Sequence, residues 1–168
     1  LMAQAVGNQM IKQGTGGSII QTSSIYGITG PDSRIYEGSE YCGQAINTPA
    51  VYSASKAGVI GLSQYLATYW ADQGVRANAL SPGGVFNGQN EEFVTRLTSL
   101  IPMARMANRN EYRSAIQFLC SDASVIEKFK SPGLLSFSKL SIPLNPRIHP
   151  VNVFVVIPDI VTGVVPSV

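Results

Sequence analysis

The sequence predicts an α/β fold with a parallel sheet, and three observations predict it. Two short strand-like runs, Ser18–Ser24 and Val75–Ser81, flank one long helical stretch, Val51–Asp72, with tight turns between them. A strand–helix–strand order of that kind implies a parallel crossover. Both runs end in residues suited to ligands: Ser23-Ser24 after the first, Pro82-Gly83-Gly84-Val85 after the second. In a parallel crossover those ends meet at the carboxyl edge of the sheet, where open α/β sheets bind their ligands. Tyr52 and Lys56, four apart at the start of the helical stretch, lie on one helix face.

The elements follow in order. Leu1–Gln13 carries apolar residues at Leu1, Met2, Ala5, Val6, Met10 and Ile11, an amphipathic helix entered part-way along. Gly14-Thr-Gly-Gly17 closes it. A phosphate-binding glycine turn runs from strand to helix, and here a helix precedes a strand, so the cluster reads as a helix C-cap. The hydroxyls of Ser23 and Ser24 read either as ligand contacts or as caps on a strand end. From Pro31 to Thr48 the chain is polar, turn-rich and without a clean period, which predicts an irregular loop, a functional lid or a solvated surface. Arg34, Glu37 and Glu40 are its candidates for a polar substrate.

The helix over Val51–Asp72 starts after Pro49 and is capped at Gly74. Its small residues Ala54, Ala57, Gly58 and Gly61 permit close approach of another helix. Leu62, Leu66 and Tyr69 form an apolar stripe suited to a core or a dimer contact, and Tyr65 and Trp70 read as packing residues. After the second strand, Asn87–Glu91 leads into a helix through Phe93, Val94 and Leu97. Pro102–Met106 is a linking turn, and a further helix runs from about Asn110 to Leu119.

Composition bounds the function. The 168 residues fit one domain, with 45% hydrophobic and 13% charged residues and a net charge of +2. That balance offers no basic face for nucleic acid. No apolar run approaches the ~18 residues of a membrane span. Two cysteines and one histidine suggest neither a disulfide framework nor a metal cluster, so the expectation is a reducing, cytoplasmic setting with no metal. An ammonium held beside a phenol lowers its pKa from about 10 and makes it a usable proton donor and acceptor. The Tyr52–Lys56 spacing alone is weak, since chance places ~0.2 such pairs in a chain of this composition.

Together the motifs are specific. Gly17-Ser-Ile-Ile…Ser23-Ser24, Tyr52-x-x-x-Lys56, Arg76-Ala-Asn-Ala-Leu-Ser-Pro-Gly-Gly-Val85, Arg105-Met-Ala-Asn and Phe118-Leu-Cys-Ser-Asp-Ala123 stand in one order. In them the chain resembles the short-chain dehydrogenases/reductases over Leu1 to Ser124. The resemblance implies a Rossmann-type doubly wound parallel sheet carrying NAD or NADP. It implies Tyr52 as general acid/base, Lys56 on the nicotinamide ribose and lowering the Tyr52 pKa, and Ser24 orienting the substrate oxygen. Pro82, Gly83 and the backbone of Val85 would line the nicotinamide, and Asn87 stands where the family often has threonine. The expected activity is hydride transfer between a secondary alcohol and a ketone. The expected partners are a small-molecule substrate and further copies of the chain, a dimer or tetramer formed through the helices Leu1–Gln13 and Val51–Asp72, with no nucleic acid or membrane.

Three departures shape the expectation. The family's amino-terminal half, with its phosphate-binding turn and its residue choosing NAD or NADP, is not in this sequence, and its active-site asparagine falls just upstream of Leu1. The wide separation of Ser24 and Tyr52, created by an insertion at 31–48, resembles the subgroup near flagellin-modification and sugar-related oxidoreductases. That subgroup implies a polar or sugar-like substrate, with Arg34 helping to bind it. After Ser124 the resemblance ends, so 1–124 reads as a catalytic half-domain and 125–168 as a divergent or frameshifted tail, β-like from Val151. The alternative function is a truncated, inactive fragment that keeps only the helix–helix surface. A sugar epimerase or dehydratase also uses Tyr-x-x-x-Lys, but Ser81–Val85 and Leu119–Ala123 argue against it.

Overall fold

A computed structural model describes residues 1–41, 43–124 and 153–154. Helix α1 (Met2–Gln13) leads into strand β1 (Gly17–Thr22) and a 3-10 turn at Ile25–Gly27. A second 3-10 turn (Ser33–Tyr36) and a small hairpin, β2 (Glu40–Tyr41) with β3 (Gln44–Ala45), precede helix α2 (Ala50–Tyr69). Strand β4 (Val75–Leu80), helices α3 (Glu91–Ser99) and α4 (Arg113–Cys120), and the short strand β5 (Val153–Phe154) complete it.

The sheet runs β1–β4–β5, parallel throughout. Gly17 pairs with Val75 and Thr22 with Leu80, so the predicted crossover through α2 is present, and both strands end at one edge. β5 lies on the other side of β4, with Ala79 opposite Val153. The β-like character expected from Val151 onward is thus realised at Val153–Phe154. The rest of the expected tail lies outside the described residues.

Strand alternation sends successive side chains to opposite faces. On one face Ile19, Val75 and Ala77 pack with Leu66 and Trp70 of the α2 end, and Ala3, Met10 and Ile11 of α1 close over them. On the other, Leu80 and Ile20 pack with Ala107, Tyr112 and Ala115. Each fully buried aliphatic side chain stabilises this double cover by about 1.5–3 kcal/mol. Gly14 caps α1 in the left-handed region (φ 70), its N–H donating to Ile11 O at 3.0 Å, so the glycine cluster is the cap the sequence predicts.

Polar residues fasten the amino ends of the strands to α4. The Ser18 hydroxyl donates to Leu119 O at 2.8 Å. The Arg76 guanidinium donates to Leu119 O at 3.0 Å and to Ser124 Oγ at 2.5 Å. Arg76 and the Phe118–Ala123 motif are therefore two halves of one joint.

Two expectations need correction. The 31–48 excursion is not irregular: a 3-10 turn and a hairpin organise it around Ile35, 2% exposed, and the buried Ser39. Tyr65 does not pack inside the chain; it is exposed on α2 and stacks on Tyr69 at 5.4 Å between ring centroids. Element ends otherwise move by one to three residues, because strand and helix termini are set by hydrogen bonding rather than by hydrophobic period. Among the described residues no helix is long and apolar enough to cross a membrane.

Candidate active site

Backbone hydrogen bonds zip the two strand ends together beyond the sheet. The Ser23 N–H donates to Leu80 O at 2.7 Å, and the Ile25 N–H to Pro82 O at 2.9 Å. Ser24 then caps the 3-10 turn, its Oγ accepting from the Tyr26 N–H at 3.2 Å. That contact uses one of the oxygen's two lone pairs and leaves the hydroxyl proton to donate elsewhere. Both serines are buried, and they act differently. The Ser23 hydroxyl donates to the Lys56 carbonyl at 2.7 Å, tying β1 to the first turns of α2.

Gly27 tightens the same joint. A Cβ there would stand 2.7 Å from the Lys56 carbonyl carbon and 2.9 Å from the Ala57 nitrogen, so only glycine lets the turn lie on the helix backbone. Lys56 is thus placed by its main chain, and its ammonium donates to Thr22 O at 3.1 Å, at the end of β1. The same ammonium is 5.6 Å from the ring centroid of Tyr52, one helical turn earlier. Tyr52 is 39% exposed, open to whatever enters the edge.

A cavity of about 530 Å³ opens there, in the range of ~300–1,000 Å³ usual for small-molecule sites. Ser24, Tyr52, Gly83 and Val85 all line it. Lys56 and Pro82 are not among the residues that line it. Pro82 is engaged through its carbonyl with Ile25, and Asn87 is not among the lining residues, its backbone N–H donating to Gln89 Oε1 at 2.7 Å. The Val85 N–H has no hydrogen-bond partner among the described residues, while its carbonyl accepts from Gln89 Nε2 at 3.0 Å.

The far side is built by the 31–48 excursion and α3. Ile35, Tyr36 and Thr48 come from the first, Phe93 and Leu97 from the second. The Tyr36 and Phe93 rings meet at 5.5 Å, and the Tyr36 hydroxyl shares a 2.5 Å hydrogen bond with Thr48 Oγ1. Burial, then the Tyr36 hydroxyl, push the Tyr26 phenol upward, so it stays protonated at any ordinary pH. Arg96 of α3 latches the excursion: its guanidinium reaches the carbonyls of Arg34 and Glu37, and it pairs with Glu92 at 2.7 Å.

Arg34 itself is elsewhere. Its side chain is 77% exposed and bonded to both oxygens of Asp32, the closest contact 2.5 Å. That hydrogen-bonded pairing holds the Asp32 carboxyl down at about 2. Asp32 lines the cavity and Arg34 does not, so the structure does not bring the arginine together with Ser24 and Tyr52. Sequence reasoning missed Gly27, Tyr26, Tyr36 and the α3 wall, and left Ser23 open between a ligand contact and a cap. The Ser-Ser-x-x-Gly spacing carried the signal for Ser23 and Gly27; nothing in the period of α3 marked one side of it as a cavity wall.

What the arrangement can do chemically is limited and definite. A phenol with an ammonium beside it can exchange a proton, and a serine hydroxyl can donate to an oxygen held near that phenol. A flat ring bearing an amide could lie against Gly83 with its carbonyl on the Val85 N–H. Such a group fits this end of the cavity, whereas no strand-to-helix glycine turn for a pyrophosphate stands among the described residues.

Known proteins share this layout. A family model described as enoyl-(acyl carrier protein) reductase matches residues 1–126. The chain is 34% identical over 134 residues to an NADH-dependent L-xylulose reductase of Ambrosiozyma monospora, covering 73% of this chain and 43% of that protein. It is 32% identical over 128 residues to the estradiol 17-beta-dehydrogenase 8 of Callithrix jacchus, covering 74% of this chain and 84% of that sequence. Among solved structures, a short chain dehydrogenase of Leptospira borgpetersenii with bound NAD+ superposes with a TM-score of 0.66 at 35% identity, over 73% of this chain and 44% of that one. The chain therefore spans less than half the length of the xylulose reductase and of the Leptospira enzyme.

Proposed function

The chain belongs to the short-chain dehydrogenase/reductase family, and on that premise we propose that it carries the catalytic edge of an oxidoreductase interconverting a secondary alcohol and a ketone. The observation that carries the proposal is the convergence of Ser24, Tyr52, Gly83 and Val85 on one cavity at the carboxyl ends of two parallel strands.

A nicotinamide dinucleotide, NAD or NADP, supplies the hydride acceptor for alcohol oxidation or the hydride donor for ketone reduction. The residues of this chain handle the oxygen and its proton. Tyr52 Oη takes the hydroxyl proton as the carbonyl forms, and returns it in the reverse direction. The Ser24 hydroxyl donates to the same substrate oxygen, held in place by the Tyr26 N–H on its own oxygen. The Lys56 ammonium stands beside the Tyr52 ring, 5.6 Å from its centroid. Gly83 and the Val85 N–H would hold the carboxamide end of the cofactor, and Pro82 keeps that turn fastened to Ile25. Lys56 would exchange its contact on Thr22 O for the cofactor ribose.

Relatives' names divide on the substrate: one carries a ketose, another a steroid. The polar or sugar-like substrate, and the subgroup near flagellin-modification oxidoreductases, rest on the width of the 31–48 excursion, and Arg34 gives them no contact. A cytoplasmic setting rests on cysteine usage alone.

The test is formation of reduced nicotinamide by the full-length protein with secondary alcohols. Tyr52→Phe is expected to cost at least about 100-fold in rate with folding intact; an unchanged rate would sink the proposal. One observation favours a second reading, an inactive fragment that self-associates. Leu62, Tyr65 and Tyr69 lie exposed along α2, and Gly58 and Gly61 face open space there, a surface suited to the helix of a second copy. Micromolar binding of a dinucleotide by these 168 residues rules that reading out.

A further inference from the structure

Tyr52 sits in the least protected part of its helix. It is the third residue of α2, and the N-cap, Pro49, gives the first turn no side-chain hydrogen bond. The Tyr52 N–H donates to the Pro49 carbonyl at 2.9 Å, so its place depends on how the chain entering the helix is held. Ser23 and Gly27 fasten α2 one turn later, at Lys56 and Ala57.

The 31–48 excursion holds the entry. Its chain folds back on itself, the Ile46 N–H donating to Ser39 O at 3.1 Å and the Ser39 N–H to Tyr36 O at 2.9 Å. That return sets Thr48 beside Tyr36, and their hydroxyls share the 2.5 Å hydrogen bond. The Tyr36 ring is seated on Phe93 and follows the buried Ile35, so the anchor is itself fixed. On its other side the Tyr26 phenol stands against the same Tyr36 hydroxyl. Tyr26 in turn is tied through its N–H to Ser24 Oγ at 3.2 Å. A tyrosine hydroxyl has one proton and two lone pairs, enough to serve both neighbours. One hydroxyl therefore lies between the turn that carries Ser24 and the turn that carries Tyr52, all on one cavity.

A substrate oxygen must meet Ser24 and Tyr52 at once, and a misplacement of about 1 Å in such a pair costs up to about 100-fold in rate. We propose, resting on the oxidoreductase reading above, that Tyr36 is a positioning residue of the reaction: through Thr48 it fixes the first turn of α2, and with it the distance from Tyr52 to Ser24. The insertion that separates the two residues in sequence is what holds them together in space.

Tyr36→Phe keeps the ring on Phe93 and removes the hydroxyl alone. The assay uses the full-length protein, either dinucleotide, and 2-butanol, cyclohexanol and xylitol as probe alcohols. The variant should lower kcat about tenfold and leave KM within about twofold. Thr48→Val should do the same, and the double variant no more than either alone, because both break one bond. Thr48→Ser keeps a hydroxyl there and should hold kcat within about twofold of the parent. Amide hydrogen exchange reads the same link without turnover. The Tyr52 N–H should exchange about tenfold faster in Tyr36→Phe, with the Ala57 N–H unchanged. Unchanged kcat in an active Tyr36→Phe protein, additive losses in the double variant, or a rise in KM at constant kcat overturns the proposal. Unchanged exchange at Tyr52 overturns it as well. A parent that oxidises none of the alcohols, while exchange at Tyr52 still responds, leaves the link standing and sinks the oxidoreductase reading alone.

Discussion

The catalytic edge and the wall that faces it are held by different forces. At the edge, the Ser23 and Ile25 N–H groups donate to Leu80 O and Pro82 O at 2.7 and 2.9 Å, the Ser23 hydroxyl donates to the Lys56 carbonyl at 2.7 Å, and Gly27 lies against the α2 backbone. Across the cavity, the excursion is held to α3 by a ring contact and by Arg96 and Glu92, side chains a third or more exposed. Buried hydrogen bonds are strong and costly to leave unmade, whereas exposed ion pairs contribute little and are screened by salt. The edge that carries Ser24 and Tyr52 is therefore the more firmly held, and the α3 side of the cavity can be altered without loss of the fold.

The sharpest way to break that contrast is Gly27→Val. With backbone of α2 under 3 Å from the new Cβ, the variant should lose about 3 kcal/mol of stability by urea unfolding, and Lys56 should shift with it. A midpoint within error of the parent would show that the joint is loose. Ser23→Ala comes next, with an expected loss of about 1–2 kcal/mol in the same measurement, because the bond that ties β1 to the Lys56 carbonyl is lost. On the facing side, Arg96→Gln should cost less than about 1 kcal/mol globally while speeding proteolytic cleavage within 31–48. A loss as large as that of Gly27→Val would erase the difference between the two regions.

The smallest effect is one of pH. The Asp32 carboxyl is held near 2 by Arg34, below its ordinary 3.8. A carboxylate whose pKa is depressed on folding contributes stability above the unfolded value and loses it as pH falls through the folded one. The excursion should therefore keep this contact down to about pH 3.8 and lose it between there and about 2. A carboxyl carbon resonance of Asp32 that titrates near 3.8 would remove the pair from the account.

Much of the edge was legible in sequence because its signals are local and periodic. The alternation of Ile19 and Ile20, the Tyr52–Lys56 spacing and the Pro-Gly-Gly turn each imply position through backbone geometry alone. The excursion was not legible: its strands are two residues long, too short for a period of two to show, and its buried aliphatic anchor, Ile35, lies in a largely polar run. Arg34 misled for a related reason. An arginine two residues from an aspartate in a tight turn closes on that neighbour first, and no spacing rule separates that outcome from a hand reaching for a ligand. The α3 wall hid in plain view, since an amphipathic helix lining a cavity has the same pattern as one lining a core.

Trp70 is the one tryptophan in the sequence, and its indole lies 3% exposed over Gly7, so close that any side chain at that glycine would collide with it. The ring touches α1 and the sheet core while standing at the far end of α2 from Tyr52 and Lys56. Its fluorescence is consequently a native optical gauge of whether α1 is docked, one that ligands at the other end of the helix leave dark to themselves.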